Sequence, residues 1–194
     1  MNTLPARCTW CGQDPLYVNY HDTEWGVPVR DERELFERLI LEGAQAGLAW
    51  ITILRKRDGY RRAFDGFDAA RIARYDDSDR ARLMADAGIV RNRLKIDATI
   101  GNAHALLALH ERGESLADLL WDAVDGQPVI NHWRRLTDCP GSTPLSDALS
   151  KKLAQRGFRF VGSTIIYAWM QSVGVVNDHL VDCFRHRELI RPLD

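Results

Sequence analysis

The chain contains no stretch near the ~18 consecutive apolar residues that a membrane-spanning helix requires. Its N-terminus, MNTLPARCTWCGQDP, has no hydrophobic signal core. No membrane partner and a cytoplasmic location are therefore expected. Strand-like alternation of apolar and polar residues is also absent, which points away from sandwiches and barrels. Only four cysteines occur, Cys8, Cys11, Cys139 and Cys183. They could pair into disulfides by count alone, but a cytosolic chain of this size uses such thiols for metal or leaves them free. Positive charge is not in excess either. The formal net charge of -1 excludes a binder held by bulk charge, though it leaves room for a local basic face.

What remains is helical. With 194 residues, 45% of them hydrophobic, the chain can bury one sizeable core. The expected class is all-α, one domain over residues 1–194, with an irregular arm over about 1–30 and a helical body over 31–194. Gly12, Pro15, Gly26 and Pro28 punctuate the arm. Asp31 and Glu34 have the spacing of a capping box, so a helix starts there. A second helix is predicted from Trp50 to Phe64, with a basic outer face that solvation alone explains. Shorter ones follow over Ala69–Tyr75 and Asp77–Ala87, the latter closed by Gly88 as a C-cap. A long helix over Asn92–Glu111 ends at Gly113, and another spans Leu116–Val124. Residues 125–145 read as a loop.

One position breaks the rules for a soluble helix. In LFERLILEGAQAGLAW, Leu35 and Leu39 mark an apolar stripe that Phe36 and Ile40 widen. At 100° per residue, Glu42 falls about 20° from Leu35 on that stripe. A carboxylate facing a core needs a partner, a proton or a task. The sequence after it turns small and flexible, Gly43-Ala44-Gln45-Ala46-Gly47, and leaves room for another molecule near the backbone. A last-turn residue rotated to solvent is the plainer alternative. An acidic side chain in a cavity with aromatic walls is the reading adopted. The arm supplies large rings, Trp10, Tyr17, Tyr20 and Trp25, which either pack it onto the helices or line such a cavity.

Two further patterns carry chemistry. His179 and Cys183 lie four apart, which on a helix puts both on one face, a common geometry for two ligands of one zinc. Cys8, Cys11 and His21 cluster near the other terminus, and two donors from each end would close a structural Cys2His2 tetrahedron. Spacing does not choose between Cys8 and Cys11; a CxxC pair is the conventional choice. The stretch from Ser146 to Gly174 reads as two helices joined by a hairpin bounded by Gly157 and Gly162. Ser163 and Thr164 open the second helix, so its free N–H groups face outward. With Lys151, Lys152, Arg156 and Arg159 nearby, this hairpin can clamp phosphates without reading bases. A simple helical hairpin is the alternative.

The words DPLYVNYHDTEWGVP, LFERLILEGAQAGLAWITIL, DAGIVRNRLKI and SDALSKKLAQRGFRFVGSTIIYAWMQSVGVVNDH resemble the bacterial constitutive 3-methyladenine DNA glycosylases. These belong to the helix-hairpin-helix glycosylase superfamily. The resemblance spans Cys8 to about Cys183. It implies a two-lobed helical fold with a base pocket between the lobes and an arm stapled to the C-terminus by zinc. It also implies base-excision repair: hydrolysis of the N-glycosidic bond of N3-methyladenine in alkylated double-stranded DNA, with free 3-methyladenine as product. By the same resemblance Glu42 bonds the extruded base and is the catalytic candidate, Tyr20 reads its edge, and Trp50 stacks on it. Tyr17, Trp10 and Trp25 line or support the pocket. Cys8, His21, His179 and Cys183 become the ligands of one structural zinc, leaving Cys11 a bystander. Gln45, Gly47 and Leu48 form a tip offered to the duplex, and Gly157, Arg159, Gly162, Ser163 and Thr164 form the DNA-binding hairpin, which lacks the LPGVG wording common in the superfamily. Most of the superfamily places an aspartate after the second hairpin helix to stabilise the sugar cation and position water. The register of Val176-Asn177-Asp178-His179 does not fix Asp178 at that place, and Asp178 is assigned to capping the helix that holds His179. No lysine nucleophile is evident, so a monofunctional enzyme is expected, and a monomer. Two competing readings are a zinc-stapled DNA-binding protein without catalysis and a hydrolase with an open zinc site.

Overall fold

The computed structural model describes residues 5–190, so both ends of the expected 1–194 domain lie outside the described residues. The described chain is mostly helical: α1 (Pro15–Thr23), α2 (Glu32–Gln45), α3 (Trp50–Ala63), α4 (Ala69–Ile72), α5 (Asp77–Ala85), α6 (Arg93–Glu111), α7 (Leu116–Trp121), α8 (Pro144–Gln155), α9 (Ser163–Ser172) and α10 (Phe184–Glu188). Most start where a short polar side chain can satisfy free N–H groups. Asp14 accepts from the amides of Leu16 and Tyr17, Asp76 from those of Ser78 and Asp79, and Asn92 from that of Lys95. Asp31 accepts from the Glu34 amide, but the Glu34 carboxylate pairs with Arg38, so only half of the capping box forms.

α2 organises the rest. It packs against α3, α6, α7 and α9, because Leu35, Phe36, Leu39, Ile40 and Leu41 leave it apolar around much of its circumference, and all five are buried. Each such side chain contributes about 1.5–3 kcal/mol by leaving water. One continuous apolar cluster runs from Val29 to Val176 and includes side chains of α2 through α9. No described helix is long and apolar enough to cross a membrane.

Five expectations need correction. The arm is not irregular throughout: α1 occupies its middle, started by Asp14 and Pro15. Its helical period is weak because it has almost no aliphatic stripe, and Tyr20 and His21 are its buried residues. His179 and Cys183 do not share a helix. They flank a turn in which the Cys183 amide donates to Leu180 O, and α10 begins only at Phe184. Asp178 consequently caps nothing. Gly88 is not a left-handed C-cap: α5 ends at Ala85, and a Cβ on the facing Gly59 would meet Gly88 O at 2.2 Å, so this glycine pair serves a close backbone approach. Finally, the 125–145 loop contributes a two-residue strand, β1 (Val129–Ile130), which pairs in parallel with β2 (Val176–Asn177), Val129 opposite Val176.

Candidate active site and metal centre

α1, α2 and α3 converge on a cavity of about 190 Å³. Six residues singled out from the sequence as base-binding line it: Trp10, Tyr17, Tyr20, Trp25, Glu42 and Trp50, with Gln45 at its edge. The rings pack on one another and form a preassembled wall. Trp10 lies 5.0 Å from both Tyr17 and Trp25, mostly edge-on, and Tyr20 lies 5.5 Å from Trp50. The indole N–H of Trp50 is buried without a partner among the described residues.

Glu42 is 5% exposed. Burial pushes its carboxyl up to about 8, against the opposing pulls of the Arg38 guanidinium and the Ser172 hydroxyl. That hydroxyl is already committed to Trp169 O at 2.9 Å. Glu42 is thus a carboxyl poor in donors in a low-dielectric site, where burial favours the protonated form. Tyr20 is raised well above its ordinary value, first by burial and then by the Glu42 charge.

The pocket has a second carboxylate that the sequence reading set aside. Asp178, 4% exposed, lines the same cavity. Its Oδ1 accepts from Asn131 Nδ2 at 2.7 Å and Trp133 Nε1 at 2.8 Å. Its Oδ2 accepts from the Tyr167 hydroxyl at 2.6 Å, Gln171 Nε2 at 2.7 Å and the Cys139 thiol at 3.3 Å. Five donors saturate the roughly four lone-pair directions of a carboxylate. Asp178 therefore knits the 131–139 loop to α9. Leu136, Cys139, Ala168, Gln171 and Leu180 line the cavity too and were not anticipated. A signal for Gln171 was present: it follows Tyr167 by four residues, a second polar group on one face of an apolar helix.

Directly behind the aromatic wall, Cys8, His21, His179 and Cys183 come together, all buried, with donor atoms within 4.8 Å of one another. Cys183 Sγ lies 3.5 Å from both His21 Nε2 and His179 Nδ1, and Cys8 Sγ lies 3.6 Å from His179 Nδ1. Each imidazole is aimed by its other nitrogen: His21 Nδ1 bonds Asp22 at 2.7 Å, and His179 Nε2 bonds Trp25 O at 3.0 Å. Such outer bonds fix which nitrogen presents its lone pair inward. Donation from Cys8 holds the Cys183 thiol well below its ordinary value, and sharing that proton raises Cys8. These four residues could hold a metal ion. Cys11 stays outside the set, its thiol turned to Cys8 O. Trp10 sits 5.3 Å from His21 and Trp25 4.6 Å from His179, so the cluster and the pocket wall share rings.

Comparison with known proteins bears on this arrangement. The profile of the methyladenine glycosylase family matches residues 10–186. The chain belongs to the methyladenine glycosylase family. It is 52% identical over 177 residues to DNA-3-methyladenine glycosylase 1 of Escherichia coli (strain K12), covering 91% of this chain and 95% of that protein. A crystal structure of a 3-methyladenine DNA glycosylase I superposes with a TM-score of 0.91 at 55% identity, over 92% of this chain and 98% of that one. A 3-methyladenine DNA glycosylase I from Staphylococcus aureus, solved for the structural basis of its 3-methyladenine recognition, superposes with a TM-score of 0.88 at 34% identity, over 92% and 97% of the two chains.

In this methyladenine glycosylase the remaining sequence-predicted residues lie on two exposed features. Gln45 ends α2, and Gly47 and Leu48 lie on the turn from α2 to α3; Gly47 and Leu48 are exposed, and Gly47 takes a φ of +78° that a side chain would strain. Gly157, Arg159 and Gly162 are exposed on the turn between α8 and α9, where no side chain caps α9; the Ser163 hydroxyl is engaged with that of Ser146. Of the nearby cations, Lys151 and Lys152 are exposed, whereas Arg156 is bound to Glu114. The basic face of α3 is likewise not simply solvated: Arg55, Arg57 and Arg61 pair with Asp14, Glu24 and Glu37.

Proposed function

We infer that this chain is a DNA-3-methyladenine glycosylase of base-excision repair that hydrolyses the N-glycosidic bond of N3-methyladenine. The observation that carries the reading is a buried, donor-poor carboxyl at the end of a cavity walled by aromatic faces. The base must leave the stack to be reached, and a damaged, weakly paired base costs less to extrude. At about 190 Å³ the cavity is smaller than the ~300–1,000 Å³ of sites for drug-sized ligands, which suits a single heterocycle. N3-methylation gives the adenine a positive charge. Ring faces attract a cation, and the cation restores the charge on Glu42 that burial disfavours. A neutral adenine gains neither. When the glycosidic bond breaks, its electron pair leaves on the base and quenches that charge, while water adds to C1′ and gives up a proton to solvent. Selective binding of the cation thus chooses the lesion, and the charge that marks the lesion is also what makes the base a good leaving group. In this reading Glu42 contacts the base, Trp50 stacks on it, Tyr20 reads its edge, and Tyr17, Trp10 and Trp25 complete the wall. No strand cleavage accompanies excision.

The ligand set Cys8, His21, His179 and Cys183 is read as one structural zinc site. Donor separations of 3.5–3.6 Å fit the edges of a tetrahedron with metal bonds of about 2.0–2.3 Å. Bound there, zinc supplies a cross-link between the arm and the 179–183 turn rather than an open coordination position. The two-lobed helix-hairpin-helix arrangement is read from α8 and α9 with their exposed turn. Gly157, Arg159, Gly162, Ser163 and Thr164 would hold backbone phosphates there, while Gln45, Gly47 and Leu48 meet the lesion. A cytoplasmic monomer acting alone on alkylated duplex DNA completes the reading.

The test is to incubate the purified protein with methylated duplex DNA, identify the bases released, and measure zinc on the same sample. Release of 3-methyladenine with 7-methylguanine retained, from protein carrying one zinc per chain, is expected. A folded, zinc-loaded protein that releases no base would leave only the DNA-binding reading.

A further inference from the structure

The two exposed features assigned to the duplex are both pinned to a single face of α6. Lys95 Nζ donates to Ala44 O at 2.8 Å and to Ala46 O at 2.7 Å, the last carbonyls before the Gly47-Leu48 tip. Two turns further on, Asn102 clasps the hairpin: its Nδ2 donates to Arg159 O at 3.0 Å, and its Oδ1 accepts from the Arg159 amide at 2.7 Å. Residues seven apart share a helical face, here about 10 Å apart along the axis. Asn102 is 2% exposed, so its carboxamide has no access to DNA, and both of its bonds go to the backbone of the hairpin. The hairpin also touches α2 directly: a Cβ on Gly43 would meet Phe160 Cβ at 3.2 Å. Glu42 precedes that glycine.

We propose that Lys95 and Asn102 are positioning residues that set the spacing between the lesion-facing tip and the backbone-holding hairpin. The proposal rests on the DNA-facing roles given above to those two features. The physical reason lies in the tip itself. Carbonyls at the C-terminus of α2 have no intrahelical donor, and a tip that leads with glycine has little stiffness of its own. An ammonium bonded to two of those carbonyls replaces that stiffness and complements the helix dipole. Asn102 does the same for a hairpin whose Phe160 sits at a φ of +54°. Neither residue lines the base cavity, so their effect should appear on duplex DNA and not on free base.

Single-turnover excision from methylated duplex, titrated with enzyme, separates the two contributions. Lys95→Met should lower the saturating rate about tenfold through misplacement of the tip, with affinity for free 3-methyladenine unchanged. Lys95→Arg, which keeps a cationic donor, should recover most of the rate. Asn102→Ala should raise the half-saturating enzyme concentration about tenfold and leave the saturating rate within about twofold. Leu48→Ala distinguishes the layers of the argument. If Leu48→Ala excises normally, the role of the tip is wrong. If Leu48→Ala is impaired while Lys95→Met is not, only the positioning role fails. Losses that match the fraction of unfolded protein, or that fall equally on free base and duplex, would also overturn it.

Discussion

Two carboxylates line one cavity and live in opposite environments. Asp178 receives five donors from two separate stretches of chain, the 131–139 loop and α9. Glu42, equally buried, has only an already committed serine hydroxyl and the more distant charge of Arg38. The difference separates structure from function. A buried polar group whose bonds are complete holds the protein together; one whose bonds are missing is maintained at a cost and needs an outside partner. Burial alone does not tell the two apart, because both side chains are nearly inaccessible.

The largest effect should come from the saturated member. Asp178→Ala orphans donors on the 131–139 loop and α9 together, and urea denaturation should show a loss on the order of 3 kcal/mol or more. A loss below about 1 kcal/mol would mean that the network is not the clasp its geometry describes.

Glu42→Gln should do the reverse, cutting excision about 100-fold while keeping the fold. Its stability signature depends on pH. The carboxyl titrates near 8 when folded, against 4.5 for the unfolded chain. Between those values the folded state binds more protons, so this group makes stability fall as pH rises from about 4.5 to about 8. Melting curves of the wild type and Glu42→Gln should therefore diverge in favour of the variant as pH rises from about 4.5 to about 8, and keep that separation above it. The kcat/KM of the wild type should decline on the acid side of a pKa near 8, since it reports the free enzyme, and the variant should lose that limb. Parallel melting curves across this range would break the contrast with Asp178.

The smallest effect tests whether partnerless means available. Trp50→Phe keeps a ring in the wall and removes the unpartnered N–H. Stability should change by less than about 1 kcal/mol, while calorimetry should show 3-methyladenine affinity falling by about threefold to tenfold. Unchanged affinity would make Trp50 a stacking surface alone.

How much of this was legible beforehand follows from what each residue's position depends on. Glu42 was readable because its placement is set within one helix: a seven-residue step returns to the face of Leu35, and the structure buries it there. His179 and Cys183 were readable as a pair through a wrong picture, a helix, since a turn of the same length also brings i and i+4 together. α1 was missed despite the Asp14-Pro15 start, because a helix that serves a pocket and a buried Cys/His cluster has no aliphatic stripe to reveal it. The Asp178 network could not be read. Its donors come from residues 131, 133, 139, 167 and 171, and the first three lie in a loop without periodicity.

The sequence by itself determined the helical class, the carboxylate on an apolar face and the stock of rings and thiols, since each depends on local spacing and residue chemistry. Tertiary structure alone decided which buried polar groups are satisfied and which are left wanting. That distinction depends on donors arriving from distant segments, and no local pattern records their arrival. The same limit hid the pairing of Lys95 with the Gly47-Leu48 tip and of Asn102 with the hairpin, contacts that span about fifty residues of chain.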